Sequence, residues 1–564
     1  MSPPRADGYV HLADYRRPAW QVRRAELQFE LERDTTVVVS RLALEPDPEQ
    51  PGVDPTLDGE ELDLLSIAID GVPLAPEAYD FDGHRLRLIG QRKACLLETR
   101  VRIRPCENTR LEGLYCSGPL LLTQCEAEGF RRITFFVDRP DVMPTWRIVL
   151  RADAAAFPVL LANGDPVGTR TLDDDRHEAV WENPHPTPSY LFAIAAGPLE
   201  KVSRELDTIE GRRVTINVWA EADDVPRCAY ALGAAERALR WDERRFGRAY
   251  DLDVFNIVAA QDFTMGAMEN KGLNIFNARY ILADEATATD HDFLAIESVV
   301  AHEYLHNWSG NRVTLRDWFQ LSLKEGLTVY RDTEFSSDLH SRALRRIESV
   351  RLLRGRQFAE DAGALAHPVR PARYREISNF YTLTVYEKGA EIIRVLHTLL
   401  GDAVFRAGMD RYFAACDGRA ATIEDFLAAH AAASGRDLTA FAAWYAQAGT
   451  PELRIEEAFD AGRGDYTLTV HQRTPPTPGH PAPVPLPMPL RVALYDADGT
   501  RIDTAPETDA RAGDGHVELA NATHVLRWRG LAARPLPAFN HGFAAPVKLH
   551  FDYSPEDLAR LARL

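Results

Sequence analysis

Two histidines with a glutamate after the first, His302-Glu-Tyr-Leu-His306, have the types and spacing best suited to chemistry in this chain. They fall in an apolar stretch, Phe293 to Trp308, whose periodicity predicts a helix. On a helix, positions i and i+4 lie about 40° apart around the axis, so both imidazoles can reach one ion. Glu303 is then close enough to contact a water held there. After His306 and eighteen intervening residues comes Glu325, inside a second helix-like segment, Asp317 to Thr333. His302, His306 and Glu325 would bind one zinc ion per chain and leave its fourth position open, as a catalytic site requires.

Two neutral imidazoles and one carboxylate leave a charge of about +1, which lowers the pKa of a bound water towards about 7. Glu303 could take that water's proton during attack on a carbonyl and pass it to a leaving amine. One further donor must stabilise the oxyanion. Asp332, seven residues after Glu325 on the same helical face, could support the site, although a solvated aspartate is the simpler reading.

This zinc pattern implies a hydrolase without selecting its substrate. The selecting feature is Gly266-Ala-Met-Glu-Asn270, with Asn270 standing 32 residues before His302. Here the sequence resembles the aminopeptidase N family of zinc metallopeptidases, in its bacterial, alanyl-aminopeptidase branch. Gln124-Cys-Glu-Ala-Glu-Gly129, Asp138-Arg-Pro-Asp141, Asn307-Trp-Ser-Gly-Asn-Arg312 and Val385-Tyr-Glu-Lys-Gly389 extend the likeness from about residue 8 to the C-terminus.

The resemblance implies that Glu269 and Glu126 read the cationic α-amino group of a peptide. Burying clustered carboxylates is unfavourable without a cation, so they would also reject acetylated or internal peptides. It implies Tyr386 as oxyanion donor, and Gln124, Met265 and Tyr381 as lining for the first side chain. Gly266 and Ala267, with Met268 and Asn270 in the same motif, can let a substrate backbone add as a strand. The expected activity is broad removal of N-terminal residues. A thermolysin-type endopeptidase would not need Glu126 and Glu269, an epoxide hydrolase of the leukotriene type differs at the Ala267 position, and a non-catalytic peptide-binding protein should lack one of these groups.

The elements that must position these residues follow the chain's patterning. The 564 residues suggest three or four domains, and 45% hydrophobic with 26% charged residues is ordinary for a globular core. Segments Thr35 to Ser40, Arg85 to Ile89 and Glu98 to Ile103 read as strands of an antiparallel β domain. Helical periods follow at Ala229 to Arg245, Val385 to Leu400 and Ile423 to Ala432. Strands return at Tyr466 to His471, Leu490 to Tyr495 and Thr523 to Trp528, broken by a Pro-rich loop from Pro475 to Pro489. The expected architecture is multidomain α+β: an N-terminal β domain over 1–198, a thermolysin-like, mainly helical zinc domain over 199–449 and a β-sandwich over 450–550. Residues 551–564 would then begin a further helical domain. The resemblance implies a truncated piece, expected to have an open cavity and apolar surface uncovered near residues 380 to 450 and on the last strands.

A formal charge of −19 argues against a nucleic-acid partner, since that affinity rests on clustered basic residues. No window reaches membrane-spanning length, and a cytoplasmic monomer acting on peptides is expected. The six cysteines read as reduced, mostly buried thiols. Only six of the 65 basic residues are lysine, and Lys271, Lys324 and Lys388 fall beside Glu269, Glu325 and Tyr386. These three are expected to offset the carboxylates or brace their loops.

Overall fold

The computed structural model describes residues 8–513 and 515–564. Residues 1–7 of the expected first domain, and Asp514, lie outside the described residues. The chain forms two compact units. One comprises 8–10, Asp14–Trp318 and Cys416–Thr422; the other comprises His11–Ala13, Phe319–Ala415 and Ile423–Leu564.

The first unit opens with an eight-stranded sheet. At its centre Trp20–Glu30 and Thr36–Pro46 are long strands whose residues alternate between buried and half-exposed, the period-two pattern of a sheet covered on one face. Its pairings are antiparallel except that Trp20–Glu30 runs parallel to Thr145–Asp153, one departure from the expected antiparallel domain. Phe130, Phe136, Trp146 and Phe192 fill the core with ring centroids 5.0–5.5 Å apart. A four-stranded sheet follows, in which Gly113–Ser117 pairs with Leu120–Gln124 and brings Gln124 to a strand end.

A mixed five-stranded sheet then runs in the order Glu200–Asp207, Arg213–Ala220, Val254–Ala260, Leu273–Asn277, Ala267–Met268. The short strand Ala267–Met268 is therefore an edge. Helix Ala229–Phe246 ends at Gly247, whose φ of 64° provides the left-handed cap, and packs along helix Asp290–Leu305. The latter starts three residues before the expected Phe293. Thr289 accepts from the Asp292 backbone and Asp292 reciprocates, a capping box whose residue types the sequence already displays.

In the second unit, helix Leu321–Leu339 packs against a π-helical turn, Thr384–Lys388, that continues into helix Gly389–Leu400. Beyond Thr450 the strands form a sandwich of one five-stranded and two three-stranded sheets, with Glu452–Asp460 and Asp465–Arg473 at its centre. Ser554 caps a closing helix, Pro555–Leu561.

Three expectations need correction. Cys106 and Cys116 form a disulfide, while Cys95, Cys125, Cys228 and Cys416 are free and buried. A short 3-10 turn, Pro105–Glu107, lies against strand Gly113–Ser117 and brings two cysteines ten residues apart into bonding range, which linear spacing did not reveal. Asp332 is buried on its helix rather than solvated. Among the described residues, no large apolar side chain between 380 and 450 is exposed, because those residues pack within their own unit; Leu344, Ile347 and Leu365 are exposed instead, although Val525 on a late strand is partly uncovered as expected.

Candidate active site

The chemistry-bearing residues of the first unit converge at the end of the histidine helix and the neighbouring sheet edge. His306, at the helix C-terminus, donates from Nδ1 to the Ser309 carbonyl at 2.7 Å. That bond places the proton on Nδ1 and makes Nε2 the unprotonated nitrogen, as metal-binding histidines require. His306 Nε2 lies 3.0 Å from His302 Nε2, with the rings nearly perpendicular. Two ligands on one tetrahedral ion are separated by roughly 3.3 Å, so the imidazole pair suits a shared metal.

Two carboxylates join them. Ligand atoms of Glu269, Glu303 and His306 all lie within 4.8 Å of one another, and Glu269 Oε1 is 4.0 Å from His306 Nδ1. The Glu126 and Glu269 carboxylates also approach within 4.8 Å. All three glutamates are at most 7% exposed, and carboxylates buried so close together favour a metal or a cationic ligand beside them.

Gln124, Met265 and Met268 are brought together too. Gln124 Nε2 lies 3.3 Å from the Met265 sulfur and 3.8 Å from that of Met268, and donates to the Glu126 carbonyl. Gly266 holds the edge strand to the sheet by accepting from Asn277 N. Ala267 and Met268 pair with Phe276 and Ile275, leaving the strand's other edge without a paired strand among the described residues. Asn270 is fully buried at the end of this segment.

Glu325, Tyr381 and Tyr386 belong to the second unit. Glu325 is buried, with Oε1 accepting from Lys324 Nζ at 2.6 Å. Tyr386 sits half-exposed in the π turn, 6.4 Å from the Tyr381 ring. Such turns often mark functional positions in helices. Lys388 does not contact Tyr386. Its ammonium is buried between Asp361 Oδ2 at 2.6 Å and the Gly449 carbonyl at 3.0 Å, bracing the turn from behind. Burial opposes ionisation of Asp361, but Lys388 overcomes it and holds the carboxyl below its ordinary range.

Lys271 likewise does not offset Glu269. It binds Asp251 and Asn307, and Asn311 Nδ2 donates to the Glu269 carbonyl at 2.9 Å. Asp251 carried no motif signal, and nothing local in Tyr250-Asp-Leu252 could have singled it out.

Residues 230–445 match the Peptidase family M1 domain, and residues 102–191 match the Peptidase M1 N-terminal domain. The chain belongs to peptidase family M1. Residues 449–552 match a domain of unknown function with an Ig-like fold. Aminopeptidase N of Haemophilus influenzae is 47% identical over 556 residues, covering 98% of this chain and 63% of that protein. Aminopeptidase N of Caulobacter vibrioides is 50% identical over 550 residues, covering 97% and 62%. A solved structure of Legionella pneumophila aminopeptidase A in complex with aspartic acid superposes with a TM-score of 0.89 at 30% identity, covering 98% of this chain and 62% of that one. This M1 chain thus spans under two thirds of the length of these relatives. No helix among its described residues is long and apolar enough to cross a membrane.

Proposed function

We propose that this M1 chain is a zinc aminopeptidase that removes single residues of broad type from peptides with a free N-terminus. The observation that carries this reading is the approach of Glu126 and Glu269 within 4.8 Å of each other, with Glu269 also beside His306. Two buried carboxylates next to a metal-binding histidine pair attract an ammonium, and an N-terminal residue carries that ammonium one residue from its scissile carbonyl. An endopeptidase gains nothing from them.

In this reading His302, His306 and Glu325 hold one Zn2+ per chain. A bound Zn2+ supplies Lewis acidity and a water acidified to a pKa of about 7. Glu303 takes a proton from the attacking water and delivers it to the leaving amine. The Tyr386 hydroxyl donates to the oxyanion, and orienting both groups before reaction lowers the barrier. Gln124, Met265 and Tyr381 contact the first side chain, where flexible thioethers suit a tolerant pocket. The free edge of Gly266, Ala267 and Met268, ending at Asn270, takes the peptide backbone as an added strand.

The domain division at 1–198, 199–449, 450–550 and 551–564 belongs to the same proposal. So do a monomeric state, a lack of nucleic-acid or membrane partners, and cytoplasmic residence. The Cys106–Cys116 pair makes that last point testable through its redox state in cells.

The deciding experiment is hydrolysis of alanyl-, leucyl- and arginyl-4-nitroanilide beside their N-acetylated forms, with bound zinc measured in the same sample. Cleavage of free-amine substrates alone, lost in Glu303→Ala, is expected. Equal cleavage of both forms would favour an endopeptidase, and stoichiometric zinc without turnover would reduce the chain to a peptide-binding fragment.

A further inference from the structure

The Lys271 ammonium is fully buried between two elements that the proposed reaction needs in register. Its backbone follows Glu269 and Asn270 at the end of the edge strand, and its carbonyl accepts from Asn163 Nδ2 at 2.9 Å. Its Nζ donates to Asp251 Oδ1 at 2.5 Å and to Asn307 Oδ1 at 2.8 Å, and lies 5.8 Å from the Tyr250 ring centroid. Asn307 directly follows His306, and its own Nδ2 donates to the same Asp251 oxygen at 3.1 Å. Lys271, Asp251 and Asn307 thus close a three-membered ring of hydrogen bonds joining the Glu269 segment to the end of the histidine helix.

Further contacts hold that ring in place. Asp251 Oδ2 accepts from Arg312 Nη1 at 2.8 Å and faces His185 Nε2 at 3.3 Å. Arg312 reaches on to Asp417, with its Nε 2.7 Å from Oδ1. Two cations therefore face two carboxylates, and Asp251 is the shared acceptor.

We propose that Lys271, through Asp251 and Asn307, is a positioning residue that sets the distance between the amine-reading Glu269 and the metal-binding end of the histidine helix. This inference rests on the aminopeptidase reading. A lysine suits the position because one compact ammonium can serve two acceptors from different directions inside a closed cavity. A planar guanidinium needs its acceptors in a fork. The chain's strong preference for arginine elsewhere agrees with a steric demand for lysine here.

Lys271→Met leaves Asp251 with only Arg312 as cation, so the paired change Lys271→Met/Asp251→Asn is the companion variant. It removes both charges while keeping an acceptor for Arg312. For either variant, folded and with one zinc per chain, KM for leucyl-4-nitroanilide should rise tenfold or more while kcat changes less than threefold. A purely structural role would lower the melting temperature and the folded fraction without moving KM.

Calorimetric binding of L-leucinol, which has the free amine but no scissile bond, separates this inference from the hydrolytic reading. Wild type should bind leucinol and not N-acetyl-leucinol, and the paired variant should bind it at least tenfold more weakly. Lys271-dependent binding without wild-type turnover would uphold the positioning role while sinking the peptidase reading. Equal binding by variant and wild type, or no binding of leucinol by wild type, would overturn the inference.

Discussion

Gly326 and Gly389 meet backbone to backbone in the second unit. A Cβ on Gly326 would lie 2.9 Å from the Gly389 carbonyl carbon, and one on Gly389 would lie 3.1 Å from Gly326 Cα. Ser322 Oγ adds a hydrogen bond to the Val385 carbonyl at 2.8 Å across the same crossing. Gly326 follows Glu325 and Gly389 stands three residues after Tyr386. The helix bearing one candidate site residue is thereby locked against the turn bearing the other.

Gly389→Ala should break that lock, since its new methyl would sit 2.2 Å from Ser322 Oγ as well. Overpacking of this kind costs about 1–3 kcal/mol, and a shift of about 1 Å between reacting groups can cost about 100-fold in rate. Thermal melting and kcat on alanyl-4-nitroanilide check both parts. A variant as stable and active as the parent would show that the crossing does not set the geometry.

Acid should weaken the second unit through His430. The ring is fully buried, its Nδ1 bonded to the Phe426 carbonyl and its face against Gly408, with the His397 charge adding a smaller effect. Burial drives its pKa down to about 4. Between that value and the ordinary 6.5, the unfolded chain binds a proton that the folded chain does not, so stability falls as pH drops through this window, by about 3 kcal/mol in all. Denaturant midpoints from pH 7 to pH 4 should show this loss, and His430→Gln should flatten the profile. Equal pH profiles in both proteins would remove His430 as the cause.

Thiol titration of the denatured, unreduced protein should find four free cysteines rather than six, because Cys106 and Cys116 are paired. Closing a loop of this size stabilises by about 2–3 kcal/mol through the unfolded chain. Cys106→Ser/Cys116→Ser should shift the denaturation midpoint accordingly. Cys125 should react only on unfolding, since burial pushes its thiol well above the ordinary range.

Metal removal should separate ligands from base. Chelation should abolish hydrolysis and added Zn2+ should restore it. His302→Ala and His306→Ala should lose the metal, as measured by mass spectrometry of the native protein. Glu303→Gln should keep it and lose about 100- to 10,000-fold in kcat. Loss of metal in Glu303→Gln would recast Glu303 as a ligand.

How much of this was legible along the chain depends on range. The histidine pair, the Gly266–Asn270 segment and the alternation in Thr36–Pro46 are local patterns, because helical and strand periods repeat within a few residues. Fold class, candidate ligands and candidate base could therefore be read from spacing and resemblance. The helix start at Asp290 is also encoded locally, in the Thr289 and Asp292 capping box, which precedes the apolar run.

What only the tertiary structure decided are contacts between residues distant in sequence. Lys271 stands one residue from Asn270 and two from Glu269, yet its charge is spent on Asp251, twenty residues earlier, and on Asn307, thirty-six later. Cys106 found Cys116 through a 3-10 turn laid against the next strand, and Gly326 found Gly389 through a helix crossing. The amino-acid sequence by itself determined which groups were present and the local elements that carry them. Partner choice among buried charges, thiols and glycines depended on which side chains the packed core excluded from water, a property of the folded chain as a whole.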